Sequence, residues 1–279
     1  MNAIESIGEL RKKLQEEKVN PVGWKRPWGY KTFQRGPSIY ITRLLLPFPI
    51  KPNHVTFAGL VLGITGCLFV LQFEWYLKIT GIVLLYFHLL ADRVDGEIAR
   101  YKEIHSLQGI FWDHINHLVI PPLFWLSLVF GLSRITIFQM RYLFLVGALG
   151  ALALAVIRVV HSLPAQIYAK KFLKYRAVFQ LESTQAKIGN DVTRPRKTSV
   201  LINFIRPLHQ LQDFFTIIIL TALILVFERI FFLDYIFHVP LTYFIFIASA
   251  LFVLFALENI IKKSRSVEQD ILKIASSEY

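Results

Sequence analysis

Asp92-Arg93-Val94-Asp95-Gly96-Glu97-Ile98-Ala99-Arg100, followed after eight residues by Gly109, Asp113 and His117 at steps of four, is the stretch on which the chain's reading turns. It lies at the junction of two strongly apolar segments. Aspartate at the centre of a membrane helix costs about 2.5–3.5 kcal/mol on insertion scales, so acids in such a place usually have a task. Asp92 and Asp95, three residues apart, share one helical face, and Gly96, Ala99 and Arg100 continue it. Gly109, Asp113 and His117 line one face of the next helix. The 101–108 connection is short, so the two helices are expected to run antiparallel with their polar ends at one depth.

Three carboxylates about 5 Å apart repel by roughly 3 kcal/mol per pair at an effective dielectric near 20. A divalent cation relieves that repulsion, and oxygen ligation suits Mg²⁺ or Mn²⁺. The small residues Gly96 and Ala99 leave room for a ligand against the backbone. Arg100 offers a fork matched to phosphate.

Working outward, 54% of the 279 residues are hydrophobic and 24 are Phe, which excludes an ordinary soluble domain. Windows at 54–73, 110–132, 142–163, 214–233 and 239–261 read as clear spans, and 75–91 as a sixth that is at the short end for a span unless its helix continues into the motif. The expected fold is an all-α integral membrane protein of six transmembrane helices with an N-terminal amphipathic interfacial helix. Of the 31 Lys and Arg, 26 lie on one side of that topology, before 54, in 92–108, in 164–212 or after 261. Only Lys78, Arg134, Arg141 and Arg229 lie on the other, and Arg158 falls inside the fourth span. The imbalance places the termini and the motif in the cytoplasm. The net charge of +12 therefore reflects topology and anionic lipid, and nothing resembles a nucleic-acid module. The basic, polar N-terminus has no secretory-signal pattern, and Cys67 has no second cysteine to pair with.

Three regions follow: 1–52, a cytoplasmic or interfacial amphipathic segment; 53–263, a six-helix catalytic domain with a cytoplasmic insertion at 164–212; and a tail, 264–279. In the first, Ile7, Leu10 and Leu14 form an apolar stripe over 3–18. Trp24, Trp28, Tyr30 and Phe33 among cations suit the headgroup layer. Pro121-Pro122 is expected to kink the third span. Within the insertion, 164–187 reads as helix, Asn190–Thr198 as a basic turn and 200–212 as an interfacial helix.

The quoted stretch resembles the signature of the CDP-alcohol phosphotransferase family, DxxDGxxARx8GxxxDxxxD, at every position but the last, where the family has Asp and this chain has His117. Pro52-Asn53-His54-Val55-Thr56 is similar to that family's PNxxT entry to its first span. The resemblance implies that Asp92, Asp95 and Asp113 bind two metal ions and that Gly96, Ala99 and Arg100 line a nucleotide pocket, with Asn53 and Thr56 nearby. It implies that His117 stands where the family has a metal ligand and general base. The implied reaction displaces CMP from a CDP-linked donor by an alcohol acceptor, forming a phosphodiester in membrane lipid. The short six-helix form favours CDP-diacylglycerol as donor over a CDP-linked head group. A homodimer is also implied.

His117 has three readings. Imidazole is a base near neutral pH; it is a ligand that shifts preference toward Mn²⁺ or Zn²⁺; or the second metal is lost and the protein is a non-catalytic scaffold that binds nucleotide or lipid. A transporter is disfavoured, because the polar residues gather at one surface and no paired broken helices appear. Structural readings stand beside these. The acids could pair with Arg93 and Arg100, and the small residues could serve helix contacts. His88 reads as a hydrogen-bonded packing residue and His114 as structural. Arg158 and His161 read as phosphate contacts or as snorkelling side chains. Lys170, Lys171, Lys174 and Arg176 read as a solvated basic face.

Overall fold

Pro52 sits in the first turn of a helix that runs to Val70, where its missing N–H costs nothing. In the computed structural model, which describes residues 5–19, 29–104, 106–133, 140–175, 213–231 and 239–276, the described residues contain no strand. We label the helices α1 (Ile7–Val19), α2 (Gly36–Leu45), α3 (Pro52–Val70), α4 (Trp75–Lys102), α5 (Leu107–Ser133), α6 (Met140–Tyr175), α7 (Phe214–Ile230) and α8 (Val239–Ser276). A π-helical turn, Tyr30–Arg35, leads into α2. Trp24, Trp28, the 190–198 turn and the 200–212 helix lie outside the described residues, as do Arg134 and Arg176. The 164–187 helix is described as far as Tyr175.

Among the described residues, four helices are long and apolar enough to cross a membrane: Pro52–Val70, Leu107–Leu132, Arg141–Tyr168 and Pro240–Val267. With the helical bundle around them they make this an all-α integral membrane protein. α4 is about 42 Å long at 1.5 Å per residue, so it exceeds a hydrocarbon core of about 30 Å and carries the charged motif on its final turns. α7 has 17 residues. α5 continues through Pro121-Pro122 without ending, and α8 carries the tail on as helix to Ser276.

The antiparallel pair α3 and α4 packs backbone against backbone. A Cβ at Gly81 would lie 2.6 Å from the Gly66 carbonyl, so only glycine permits the approach. This contact sets the start of α3 beside the end of α4, where the motif lies. At the far end Lys78 is buried, its ammonium hydrogen-bonded to the Gln72 carbonyl just past the C-terminus of α3. Trp125 on α5 donates from its indole to Ser249 Oγ on α8 at 3.0 Å. Buried Glu228 of α7 accepts from the Leu241 amide at 2.7 Å, capping the start of α8.

α1 begins with a reciprocal cap: the Ser6 amide donates to Glu9 Oε2 at 2.8 Å and the Glu9 amide to Ser6 Oγ at 3.3 Å. The Ser6 hydroxyl, which donates to Glu9 Oε2 at 2.7 Å, and then the Ser6 amide hold the Glu9 carboxyl below its usual range. Its apolar stripe is covered by protein: Leu10 and Leu14 pack with Ile39, Leu46, Val55, Val94 and Ile98 in a cluster separate from the main core. Amphipathic periodicity looks alike whether the covering is lipid or protein, which is why the sequence reading left that face to the membrane.

Substituting Gly81→Val forces α3 and α4 apart. Overpacking of this kind costs about 1–3 kcal/mol, so the purified variant in detergent should unfold at a lower temperature than wild type. Gly8→Val, on the other hand, meets only Ser6 at 4.0 Å and should show no such clash.

Candidate metal and nucleotide site

The nine residues nominated from the sequence line one cavity of about 320 Å³: Asn53, Thr56, Asp92, Asp95, Gly96, Ala99, Arg100, Asp113 and His117. Three elements build it. The first turns of α3 bring Asn53 and Thr56, the last turns of α4 bring the first acids and Arg100, and the first turns of α5 bring Asp113 and His117. The α4–α5 connection turns at Glu103, a non-glycine residue held in the left-handed region at φ 54. The Ile104 amide closes that turn on the Ala99 carbonyl at 3.0 Å.

Asp92, Asp113 and His117 each present one ligand atom within 4.8 Å of the others. His117 Nε2 lies 3.2 Å from Asp92 Oδ1 and 3.5 Å from Asp113 Oδ1. Asp92 Oδ2 forms an ion pair with Arg93 Nη1 at 2.7 Å, without hydrogen-bond alignment. Arg93 is itself held by Gln34 Oε1, at 2.9 and 3.1 Å, and its guanidinium carbon lies 5.2 Å from the Tyr30 ring centre. Asp95 lines the same cavity but stands apart from that trio. Its Oδ2 accepts from Thr56 Oγ1 at 2.6 Å, which gives the PNxxT threonine a defined task.

Of the paired-acid alternatives, Asp92 does pair with Arg93, whereas Arg100 turns elsewhere. Arg100 Nε donates to the Leu14 carbonyl of α1 at 3.0 Å, and its Nη2 is buried with no partner. Gly96 provides the space this requires, since a Cβ there would meet Arg100 Nη1 at 3.4 Å. Gly109 has a similar reason: a Cβ there would come within 2.8 Å of Asn53 Oδ1. His88 is buried, with Nδ1 2.9 Å from the Gly59 carbonyl, as its packing role requires.

Glu97, inside the motif, escaped the sequence reading. It is fully buried, and its carboxylate accepts from Gln15, Arg35, Ser38 and Thr42 at 2.6–2.9 Å. Asn116 was also missed. Its Nδ2 donates to the Thr56 carbonyl at 3.4 Å, and its buried Oδ1 has no partner. In sequence, a lone Glu among Asp and Arg at a helix end looks like surface charge, and Asn116 offers no signal at all.

An all-α membrane bundle with acids, an imidazole and a partly unpaired arginine around one cavity defines a membrane protein equipped for phosphate chemistry. More particularly, the model of the CDP-alcohol phosphatidyltransferase family matches residues 50–205, over half the chain, and the chain belongs to that family. Membership implies transfer from a CDP-alcohol, and the family is in general dependent on divalent metal. The donor set present here fits such an ion: two carboxylates and an imidazole nitrogen already converge within 4.8 Å. No curated protein matches the chain.

Gly109→Ala tests the α3–α5 contact by a change of sign. Alanine is worth up to about 1 kcal/mol over glycine in a helix, but here its Cβ meets Asn53. Thermal unfolding should show Gly109→Ala less favourable in the wild-type background than in Asn53→Ala. Equal effects in both would mean that Asn53 does not press on this glycine.

Proposed function

We propose that this protein is a membrane transferase that displaces CMP from a CDP-linked donor, CDP-diacylglycerol first among them, by an alcohol to form a phospholipid phosphodiester. The observation that carries the reading is the convergence of Asp92, Asp113 and His117 beside Arg100 in one cavity. Asp92, Asp95, Asp113 and His117 would hold Mg²⁺ or Mn²⁺, with two ions possible by family resemblance. When bound, the metal neutralises the diphosphate and polarises the reacting phosphorus. Gly96 and Ala99 leave the backbone open to the nucleotide, and Arg100 takes a phosphate oxygen, with Asn53 and Thr56 closing the α3 side. Asp113 keeps the imidazole beside the acceptor. His117 removes the proton from the acceptor hydroxyl; the new oxygen–phosphorus bond forms as the bond to CMP breaks.

A single Nε2 cannot hold a metal and receive a proton at the same time. Ligation through Nε2 and base catalysis through Nε2 are therefore alternative roles for His117. A specific observation also favours a second reading, a non-catalytic relative that binds nucleotide or lipid as a membrane scaffold. Arg93 already pairs with Asp92, and His117 lies against both Asp92 and Asp113, so these acids have protein partners before any ion binds.

The topology proposed is six spans, with α4 and α7 added to the four apolar helices. The termini and the site are cytoplasmic by the 26 to 4 division of Lys and Arg. Residues 1–52, 53–263 and 264–279 then form the interfacial segment, the catalytic domain with its 164–212 insertion, and the tail. A homodimer completes the proposal.

The test is purified protein in lipid with CDP-diacylglycerol, Mg²⁺ or Mn²⁺ and a panel of alcohols, monitored for CMP. CMP should appear, vanish in Asp113→Ala, and fall about 10²–10⁴-fold in His117→Ala, as expected for loss of a general base. His117→Asp should retain release and lose any preference for Mn²⁺. Nucleotide binding without release, under every metal and acceptor, would establish the scaffold instead.

A further inference from the structure

We propose that α1 is a working part of the nucleotide site: a strap that positions the Arg100 guanidinium, latched by the buried Glu97 carboxylate. The inference deepens the transfer reading and rests on it through the role of Arg100.

Arg100 reaches across to α1, 86 residues away in sequence, and donates from Nε to the Leu14 carbonyl at 3.0 Å. That bond fixes one edge of the guanidinium. Its Nη2 is buried without a partner, and Arg100 lines the cavity, so on this account an anion bound there takes up that unused donor. α1 also grips the next residue, with the Lys13 ammonium 4.7 Å from the Tyr101 ring centre.

The latch lies one residue along from Leu14. Gln15 is buried, and its amide donates to Glu97 Oε1 at 2.8 Å and to the Arg35 carbonyl at 2.8 Å. Glu97 holds α2 as well, through Ser38 and Thr42, at 2.7 and 2.6 Å. Glu97 stands between Asp95 and Arg100 in the chain, so α1 is fastened to the very turns that carry the motif. The apolar cluster beneath α1 is separate from the main core of the bundle. Loosening α1 should therefore disturb the site without dissolving the membrane fold. Gln15, Leu14 through its carbonyl, and Glu97 are on this account positioning residues.

A double-mutant cycle in the full-length chain, reconstituted in phosphatidylcholine nanodiscs with radiolabelled CDP as probe, separates this from a merely structural role. Gln15→Ala removes the α1 latch but leaves Glu97 its other donors, and Leu10→Ser loosens α1 from its apolar side. Each should weaken CDP binding about tenfold; Gln15→Ala should do so with little change in thermal midpoint, whereas Leu10→Ser, which removes a buried apolar side chain, lowers it as well. Arg100→Lys lacks Nε, so in that background either change should cost no more than about twofold further. In the transfer assay the loss should appear in KM for the donor more than in kcat. Additive effects in both cycles, or wild-type CDP affinity in both α1 variants, would overturn the strap alone. Failure of the wild-type chain itself to bind CDP would overturn the transfer reading and the strap with it.

Discussion

Close packing of α3 against both α4 and α5 is the constraint on which this molecule depends. At Gly66 and Gly81 the backbones of α3 and α4 meet with no room for a side chain. The turn at Glu103 then folds α5 back so that Asp113 and His117 reach Asp92. Like charges brought together at a membrane surface repel unless something positive joins them. Arg93 supplies part of that through its ion pair with Asp92, and a divalent ion would supply the rest.

The same electrostatics explains the two sides of the His117 substitution. In a relative with aspartate at this position, another negative charge enters the cluster and the demand for cation rises. Here an imidazole stands 3.2 Å from Asp92, lowering that demand while adding a nitrogen donor. On the proposed reading, His117 gives the cluster one nitrogen donor where a further carboxylate would add charge.

Much of the architecture was legible because membrane helices and their motif are written locally. Apolar runs mark the helices, and i, i+3 and i, i+4 spacing puts Asp92, Asp95, Asp113 and His117 on facing stripes, so all nine nominated residues line one cavity. Other features were not legible, because each is a tertiary contact. Glu97 reads as a surface acid until Gln15, Arg35, Ser38 and Thr42, brought from far along the chain, surround it. The stripe of α1 gives no hint that its cover is α2 and α4, and Arg100 gives none that it reaches Leu14. Asp95 looked equivalent to Asp92 in register, yet Thr56 engages it and leaves the tighter trio without it.

The central claim is that Asp92 and Asp113 hold one divalent ion in common beside His117, and pulsed electron paramagnetic resonance of Mn²⁺ bound to the purified protein tests it most directly. The account predicts bound Mn²⁺ that is lost in Asp92→Ala and Asp113→Ala. A nitrogen coupling that changes when the histidines carry ¹⁵N and disappears in His117→Asp assigns Nε2 to the ion, and its absence leaves Nε2 free for the proton. Absence of bound Mn²⁺, or binding indifferent to both aspartates, would contradict it.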